Sequence, residues 1–207
     1  MAVLSFLESM KLAEKYGIEF APYFYARNEK ELESAGRKIG FPAAIKLVSS
    51  TISHKTDVGG VVLNIRSIAE AKRAFSKLRK LGGFEGVVVQ KMLKGKEIII
   101  GGKQDEQFGP TILFGMGGIF VEVFRDYSIR ICPITGKDAK EMVREIKGFK
   151  LLEGYRGKPG VNIKAVEREL FKVSRMLMKE KRIKEMDFNP LMATRQGVIA
   201  VDARVVI

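Results

Sequence analysis

Lys46, His54 and Lys55 fall in one short stretch, interleaved with the hydroxyl side chains of Ser49, Ser50, Thr51, Ser53 and Thr56. His54 is the only histidine of the chain. Imidazole titrates near neutrality, and its neutral form is a nucleophile. Gly59-Gly60 follows, and backbone N–H groups beside glycines can come close to a ligand. Two ammonium groups, several hydroxyls and a glycine pair are suited to hold an oxyanion, and a phosphate fits best. A solvated hairpin that carries a histidine by chance competes with this reading, because clustered ionisable groups mark sites only on average.

A second set lies near the end of the chain. Asp187-Phe-Asn189-Pro190 and Asp202 are separated by the turn signal Arg195-Gln-Gly197. If 186–193 and 198–205 are the two strands of a hairpin, Asn189 and Asp202 meet across it, with Cβ atoms about 5 Å apart. One amide oxygen and one carboxylate suit Mg²⁺, which takes few protein oxygens and leaves its other positions to water and phosphate. Polar residues at strand ends are the competing reading. Gly115-Met-Gly-Gly118, followed by Glu122, is dense in glycine. It lacks both the strand–turn–helix setting of a dinucleotide fingerprint and the Gly-Lys-Ser/Thr of a phosphate loop, so a tight strand-to-strand turn is expected there.

These residues need elements to position them. The runs Ala43–Val48 and Val61–Ile65 flank the histidine stretch; they are short, β-branched and bounded by Pro42, serines and glycines, so they read as strands. Lys46 lies inside the first, and taken alone it is expected to face solvent. Leu7, Met10 and Ala13 have helical spacing in 5–16, and Gly17 stops that helix. Phe20–Ala26 reads as a strand. Asn28 with Glu31 starts a helix ending before Gly40-Phe41-Pro42, and Ser67 with Glu70 starts another running through Leu81. Strands alternating with helices give an α/β lobe. Gly86–Met92, Glu97–Ile100, Thr111–Phe114, Ile119–Phe124 and Tyr127–Ile134 then read as an antiparallel meander. Helices are expected over 137–146 and 163–180, and the two closing strands follow.

A chain of 207 residues can bury a core as one domain or as two small lobes. No run approaches the roughly 18 apolar residues of a membrane span. Residues 1–17 carry Glu8, Lys11, Glu14 and Lys15, unlike a secretory signal. Cys132 stands alone, so no internal disulfide forms and a cytoplasmic setting is expected. The net charge of +13 raises the question of nucleic acid. The cations are mixed with acids, as in residues 179–185, and zinc spacing, an Arg-rich arm and an aromatic–basic stripe are missing. Neither nucleic acid nor a membrane is expected; phosphate ligands or an acidic partner protein rank higher. Lys- and Glu-rich surfaces with few Asn and Gln also resemble those of hyperthermophile proteins.

Taken in order, the segments resemble the ATP-grasp (beta) subunit of ADP-forming acetyl-CoA synthetases, relatives of succinyl-CoA synthetase. The matching stretches are Gly40-Phe-Pro-Ala-Ala-Ile-Lys46, His54-Lys-x-Asp-Val-Gly-Gly60, Val89-Gln-Lys-Met92, Glu97 with Gly101, and Gln107-Phe-Gly-Pro110. They continue with Phe114-Gly-x-Gly-Gly-Ile-Phe-Val-Glu122, Leu152-Glu-Gly-Tyr-Arg-Gly157, Asp187-x-Asn-Pro-Leu191 and Val201-Asp-Ala-Arg204. Ser50-Thr51 stands where the family often has Pro-Asp, Gly102 where an aliphatic residue is usual, and Glu106 where a proline is usual; Gly160 and Asn162 replace a proline and an aspartate. None of these departures removes a phosphate, metal or histidine position.

The resemblance implies an α+β (α/β) ATP-grasp fold, two lobes gripping a nucleotide, within one domain over 1–207. An N-terminal helix would occupy 1–19, the first lobe 20–89 and the second 90–207. Lys46 would bind phosphates, the backbone of Gln90, Lys91 and Met92 the adenine, and Glu97 the adenosine. Asn189 and Asp202 would hold Mg²⁺, with ATP or ADP as the nucleotide. His54 would carry a phosphoryl group to and from the nucleotide, coupling acyl-CoA cleavage to ATP synthesis in an acetate–CoA ligase (ADP-forming). The family's CoA-binding alpha subunit would complete the enzyme, as a heterotetramer. A nucleotide-binding regulatory module of another acyl-CoA-linked assembly is the alternative, which would need the nucleotide site but not the histidine.

Overall fold

The computed structural model describes residues 2–207 apart from Ser50, Ser53, His54, Thr56 and 119–122. Two compact units emerge: Ser5–Leu7 with Ala21–Leu93, and Met1–Leu4 with Glu8–Phe20 and Lys94–Ile207. Gln90, Lys91 and Met92 therefore stay with the first unit, because Gly86–Lys91 is an inner strand of its sheet.

The first unit is built on β1 (Tyr23–Ala26), β2 (Ala43–Val48), β3 (Val61–Ile65) and β4 (Gly86–Lys91). Their order is β1-β4-β2-β3, and every pairing is antiparallel. The alternation of strands and helices thus does not build a parallel sheet: β2 runs into β3 with no crossover helix, so the two pair as antiparallel neighbours. All six residues of β2 are buried. Helices α2 (Glu29–Ile39) and α3 (Ile68–Leu78) complete the unit, and Leu32, Ile45, Leu47, Phe75 and Val87 share its core. Asn28 accepts the Glu31 N–H at 2.9 Å and Ser67 accepts that of Glu70 at 3.2 Å. Each such cap stabilises its helix by about 1 kcal/mol. Gly40, at φ 74°, ends α2 in a conformation that favours glycine. The first strand is shorter than expected, beginning at Tyr23, one residue past Pro22, which has no N–H for a ladder. Phe6, the first residue of α1 (Phe6–Glu14), belongs to this unit.

In the second unit β5 (Lys96–Asp105), β6 (Gly109–Met116), β7 (Tyr127–Ile131), β10 (Glu185–Ala193) and β11 (Val198–Ala200) form an antiparallel sheet in the order β11-β10-β5-β6-β7. β12 (Arg204–Val206) also pairs with β10. Ile98 and Ile100 alternate with more open positions along β5, as Ile112 and Phe114 do along β6, and these four are fully buried. Helix α6 (Ile163–Lys179) packs on both strands with Val166, Leu170, Val173 and Leu177. A Cβ at Gly102 would come within 2.5 Å of Leu177 Cδ1, so the absence of an aliphatic side chain there lets α6 seat. Helix α4 (Gly136–Glu145) begins with a full capping box between Thr135 and Asp138. The short α5 (Phe149–Glu153) and the hairpin of β8 (Gly154–Tyr155) and β9 (Lys158–Pro159) were not expected from sequence. Arg156 (φ 48°) and Gly157 (φ 75°) make the hairpin's tip, both left-handed as two-residue β-hairpin turns require.

Among the described residues β7 ends its sheet. Ser128 points inward and donates to the Met142 carbonyl at 2.9 Å, while Tyr127, Ile129 and Ile131 stand exposed on the other face. Arg130 donates to the Ile129 carbonyl at 2.9 Å and to Glu145 at 2.6 Å. No helix among the described residues is long and apolar enough to cross a membrane.

The glycine-dense stretch begins inside β6, which runs through Met116, and the strand expected to follow its turn falls largely on 119–122, outside the described residues. Its glycines serve close packing: a Cβ on Gly115 would meet the Asp126 carbonyl at 2.7 Å, and one on Gly117 the Glu97 Cβ at 3.0 Å. The strand expected at Ile119–Phe124 lies largely outside the described residues, and Val123 and Phe124 are helical. The strand expected over 198–205 is split between β11 and β12, for a reason that belongs to the site.

Candidate functional site

In the first unit Lys46 is the one charged residue of β2, paired in register with Val61 and Val88. It is not solvent-facing as expected from its sequence context: it is only 5 % exposed. Its Nζ lies 5.3 Å from the centre of the Phe6 ring, and the Nζ of Lys55 lies 3.9 Å from the same ring. Burying an ammonium is costly unless something attractive faces it. A π face supplies part of that attraction without accepting the ammonium's hydrogens.

The connection from β2 to β3 leaves the sheet through a compact turn. Ser49 Oγ accepts the N–H groups of Thr51 and Ile52, each at 3.2 Å. The return is closed by Gly60, whose N–H donates to the Lys55 carbonyl at 2.6 Å and whose carbonyl accepts the Leu47 N–H at 2.8 Å. A Cβ on Gly60 would sit 2.8 Å from that Lys55 oxygen, so glycine is required here. His54 itself lies outside the described residues.

Gln90, Lys91 and Met92 carry the end of β4 and the residue after it. Gln90 is buried between Ala44 and Tyr23, its amide donating to the Ala21 carbonyl at 3.4 Å. The Lys91 N–H donates to the Pro22 carbonyl at 2.9 Å, and Met92 Sδ accepts the Asn64 N–H at 3.1 Å. These bonds fix the chain where an adenine edge is expected.

In the second unit Glu97 stands exposed on β5, opposite Met192 of β10. Its carbonyl accepts the Gly117 N–H at 2.8 Å, and a Cβ on Gly118 would come within 3.2 Å of Glu97 Oε2. The glycine stretch therefore passes directly against this carboxylate.

Asn189 and Asp202 occupy a gap in a ladder. Asp187 pairs with Arg204 on one side and Leu191 with Ala200 on the other, and carrying that register through the gap sets Asn189 opposite Asp202. The gap follows from Asn189-Pro190: proline offers no N–H, and the register of β10 against β5 shifts between Phe188 and Leu191. Across the gap the Val201 N–H donates to the Pro190 carbonyl at 3.2 Å, which keeps the two segments together while β11 and β12 stay separate. Asp202 Oδ1 accepts the Ala203 N–H at 2.9 Å.

This donor set fits Mg²⁺. Among the described residues no three of His, Cys, Asp and Glu gather as a cage, and a hard cation that keeps its waters needs only one or two protein oxygens. An amide and a carboxylate side chain opposite each other in register are the donor types that meet that need.

Three contributors escaped sequence reasoning. Phe6 shares helical spacing with Met10 and Ala13, so it reads as an ordinary core position. Asp187 was visible only as part of a motif; its Oδ1 lies 3.4 Å from Arg204 Nη1. Burial pushes its carboxyl above the usual range, Arg204 pulls it back, and the neighbouring Asp202 and Glu185 add to the push. Asp126 is 5 % exposed and accepts the N–H groups of Lys147 and Gly148, each at 2.7 Å. It ties the segment after the glycine stretch to the start of α5, and no periodicity announces such a role. Cys132 is buried and its thiol is pushed up by that burial, which argues for packing and against nucleophilic chemistry.

The family model described as an ATP-grasp domain matches residues 1–207. The chain is 45% identical over 201 residues to "Acetate--CoA ligase [ADP-forming] II" of Archaeoglobus fulgidus, covering 97% of this chain and 30% of that protein. It thus spans about a third of that relative's length. It is 41% identical over 208 residues to the beta subunit of Pyrococcus furiosus "Acetate--CoA ligase [ADP-forming] I", covering 97% and 90% of the two chains. Among solved structures it is similar to the dinucleotide-forming acetyl-coenzyme A synthetase 1 of Ca. Korarchaeum cryptofilum. With coenzyme A, Ca-AMPCP and HgCl+ bound, that protein gives a TM-score of 0.94 at 40% identity, covering 100% and 93% of the two chains. A form of it with a phosphorylated phosphohistidine segment gives 0.87 at 38% identity, covering 99% and 93%.

Proposed function

Because the chain belongs to the ATP-grasp family, we propose that it binds ADP or ATP with Mg²⁺ and serves as the nucleotide-handling part of an ADP-forming acetate–CoA ligase. The observation that carries this reading is the opposition of Asn189 and Asp202 in the gap of the β10 ladder, a sparse oxygen pair suited to a nucleotide-bound Mg²⁺. The names of relatives at 41% and 45% identity support the choice of reaction.

Lys46 engages the phosphates as a compact cation, and the segment Gln90, Lys91 and Met92 lies along the adenine. Glu97 accepts hydrogen bonds from the adenosine. When bound, Mg²⁺ offsets negative charge on the β- and γ-phosphate oxygens. His54 is the phosphoryl carrier. In the direction of ATP synthesis the N–P bond of phosphorylated His54 breaks, and a terminal phosphate oxygen of ADP forms the new O–P bond. The other ring nitrogen carries a proton throughout, so the nitrogen that keeps the bonding pair is left in a neutral imidazole, and water takes no part. In reverse the imidazole lone pair attacks the γ-phosphorus and ADP leaves. A CoA-binding alpha subunit supplies the acyl phosphate chemistry and completes a heterotetramer; a phosphohistidine segment in the Korarchaeum relative supports the relay.

Calorimetry of the purified chain with ADP, with and without Mg²⁺, tests the nucleotide half. Mg²⁺-dependent binding is the expected result, and its absence would overturn the reading. Acid-labile phosphate on the chain after incubation with ATP tests the carrier half. Nucleotide binding with no phosphoryl transfer, even with the CoA-binding subunit present, would favour a regulatory module.

A further inference from the structure

Lys46 and Lys55 come from different places in the first unit, one from the middle of β2 and one from the connection that follows it. Both bring their ammonium groups to one aromatic ring, that of Phe6, at 5.3 and 3.9 Å from its centre. Phe6 is 3 % exposed and Lys46 5 %. We propose that Phe6 is a positioning residue for the phosphate-handling groups, its ring holding the Lys46 ammonium in place and tethering, through Lys55, the stretch that carries His54. This inference rests on the nucleotide-binding reading given above.

A lysine side chain has a flexible four-carbon stem, and freezing it when phosphate arrives loses up to about 2 kcal/mol of rotamer entropy. A ring that already confines the ammonium removes part of that loss from the binding step. A π face attracts the cation through its quadrupole and does not itself neutralise it. The second lysine widens the role. Lys55 directly follows His54, and its carbonyl is already fixed by the Gly60 N–H at 2.6 Å. With the ammonium over Phe6 as well, Lys55 is held at its backbone and at its tip. The ring thus ties the strand that binds phosphate to the residue beside the phosphoryl carrier.

The test changes the ring's electrostatics while keeping its shape. Fluorinated phenylalanines placed at position 6 withdraw electron density from the ring face at nearly constant volume. Mg-ADP affinity measured by calorimetry should fall stepwise with each fluorine, reaching about three- to tenfold for the most fluorinated ring. Phe6→Tyr keeps the π face and should bind within about twofold of the unmodified chain. Phe6→Leu should weaken binding as the fluorinated ring does, and should add nothing further to Mg-ADP affinity in a Lys46→Met background, because the ring acts on nucleotide affinity through the Lys46 ammonium. Affinity blind to fluorination, or additive losses from Phe6→Leu and Lys46→Met, would assign Phe6 to packing alone and overturn the inference. If the unmodified chain fails to bind Mg-ADP, the functional reading itself falls and the inference falls with it. Binding that is intact but indifferent to the ring defeats the inference only.

Discussion

The β2–β3 connection and the gap in β10 both interrupt an antiparallel ladder to present polar groups, and they do so on different scales. Between β2 and β3 the chain leaves the sheet for residues 49–60 and returns through Gly60. At β10 only a few residues lose their partners, and pairing resumes on both sides, from Asp187 with Arg204 to Leu191 with Ala200. A short interruption pinned at both ends keeps Asn189 and Asp202 opposite each other in register. A long connection pinned at its base can carry a reactive side chain away from the sheet. On the proposed reading, the difference separates two kinds of chemistry: the ladder gap would hold the cation, and the connection would deliver the phosphoryl carrier.

The largest effect that could break this comparison lies in the connection. His54→Asn keeps a polar side chain of similar reach but removes the nucleophile. Phosphoryl exchange with ATP, followed by acid-labile phosphate, should fall by at least about a thousandfold while Mg-ADP binding stays near normal. Loss of nucleotide affinity in this variant would mean that the connection also holds the ligand. In the ladder gap, Asp202→Ala should weaken Mg-dependent ADP binding by about a hundredfold, roughly 3 kcal/mol, and leave Mg-independent binding unchanged by calorimetry. An equal loss with and without Mg²⁺ would remove the cation from the gap.

A smaller effect sharpens the contrast at the base of the connection. Gly60→Ala forces a Cβ to within 2.8 Å of the Lys55 carbonyl oxygen, and urea denaturation should show a loss of about 1–3 kcal/mol. Full stability in that variant would show that the base yields easily. The smallest expected effect is in the gap's own electrostatics. Because burial raises the folded-state pKa of Asp187, the folded chain holds its proton more tightly than the unfolded chain. That contribution is complete below the ordinary carboxylate value and fades as pH rises from there through the raised folded pKa. With nucleotide and divalent ions removed, Asp187→Asn should lose this downward slope of stability with pH; an unchanged slope would assign it to other groups.

Much of the fold was legible because local physics wrote it. Asn28 and Ser67 cap helices with partners three residues on, and β2 reads as a strand from its short apolar run between Pro42 and the serines. The opposition of Asn189 and Asp202 was legible because a turn at 195–197 fixes register over a short distance. What stayed hidden depended on distant contacts. Nothing in 112–118 says that its glycines yield to Glu97 and to the Asp126 carbonyl. Lys46 looked solvent-facing because its ring partner lies forty residues earlier, in a helix whose own periodicity accounts for Phe6 without it.

The exposed stripe of Tyr127, Ile129 and Ile131 on β7 bears on how the molecule behaves in crowded solution. Among the described residues β7 is an end strand, and an end strand with apolar side chains is a template on which another copy could align. Arg130, reaching the Ile129 carbonyl and anchored by Glu145, stands guard over that edge. The net charge of +13 adds repulsion between approaching copies, with a range of about 10 Å at 0.1 M salt and about 3 Å at 1 M. The two act over different reach: concentrated salt strips away the long-range repulsion and leaves, among the described residues of β7, the Arg130 guanidinium at the edge.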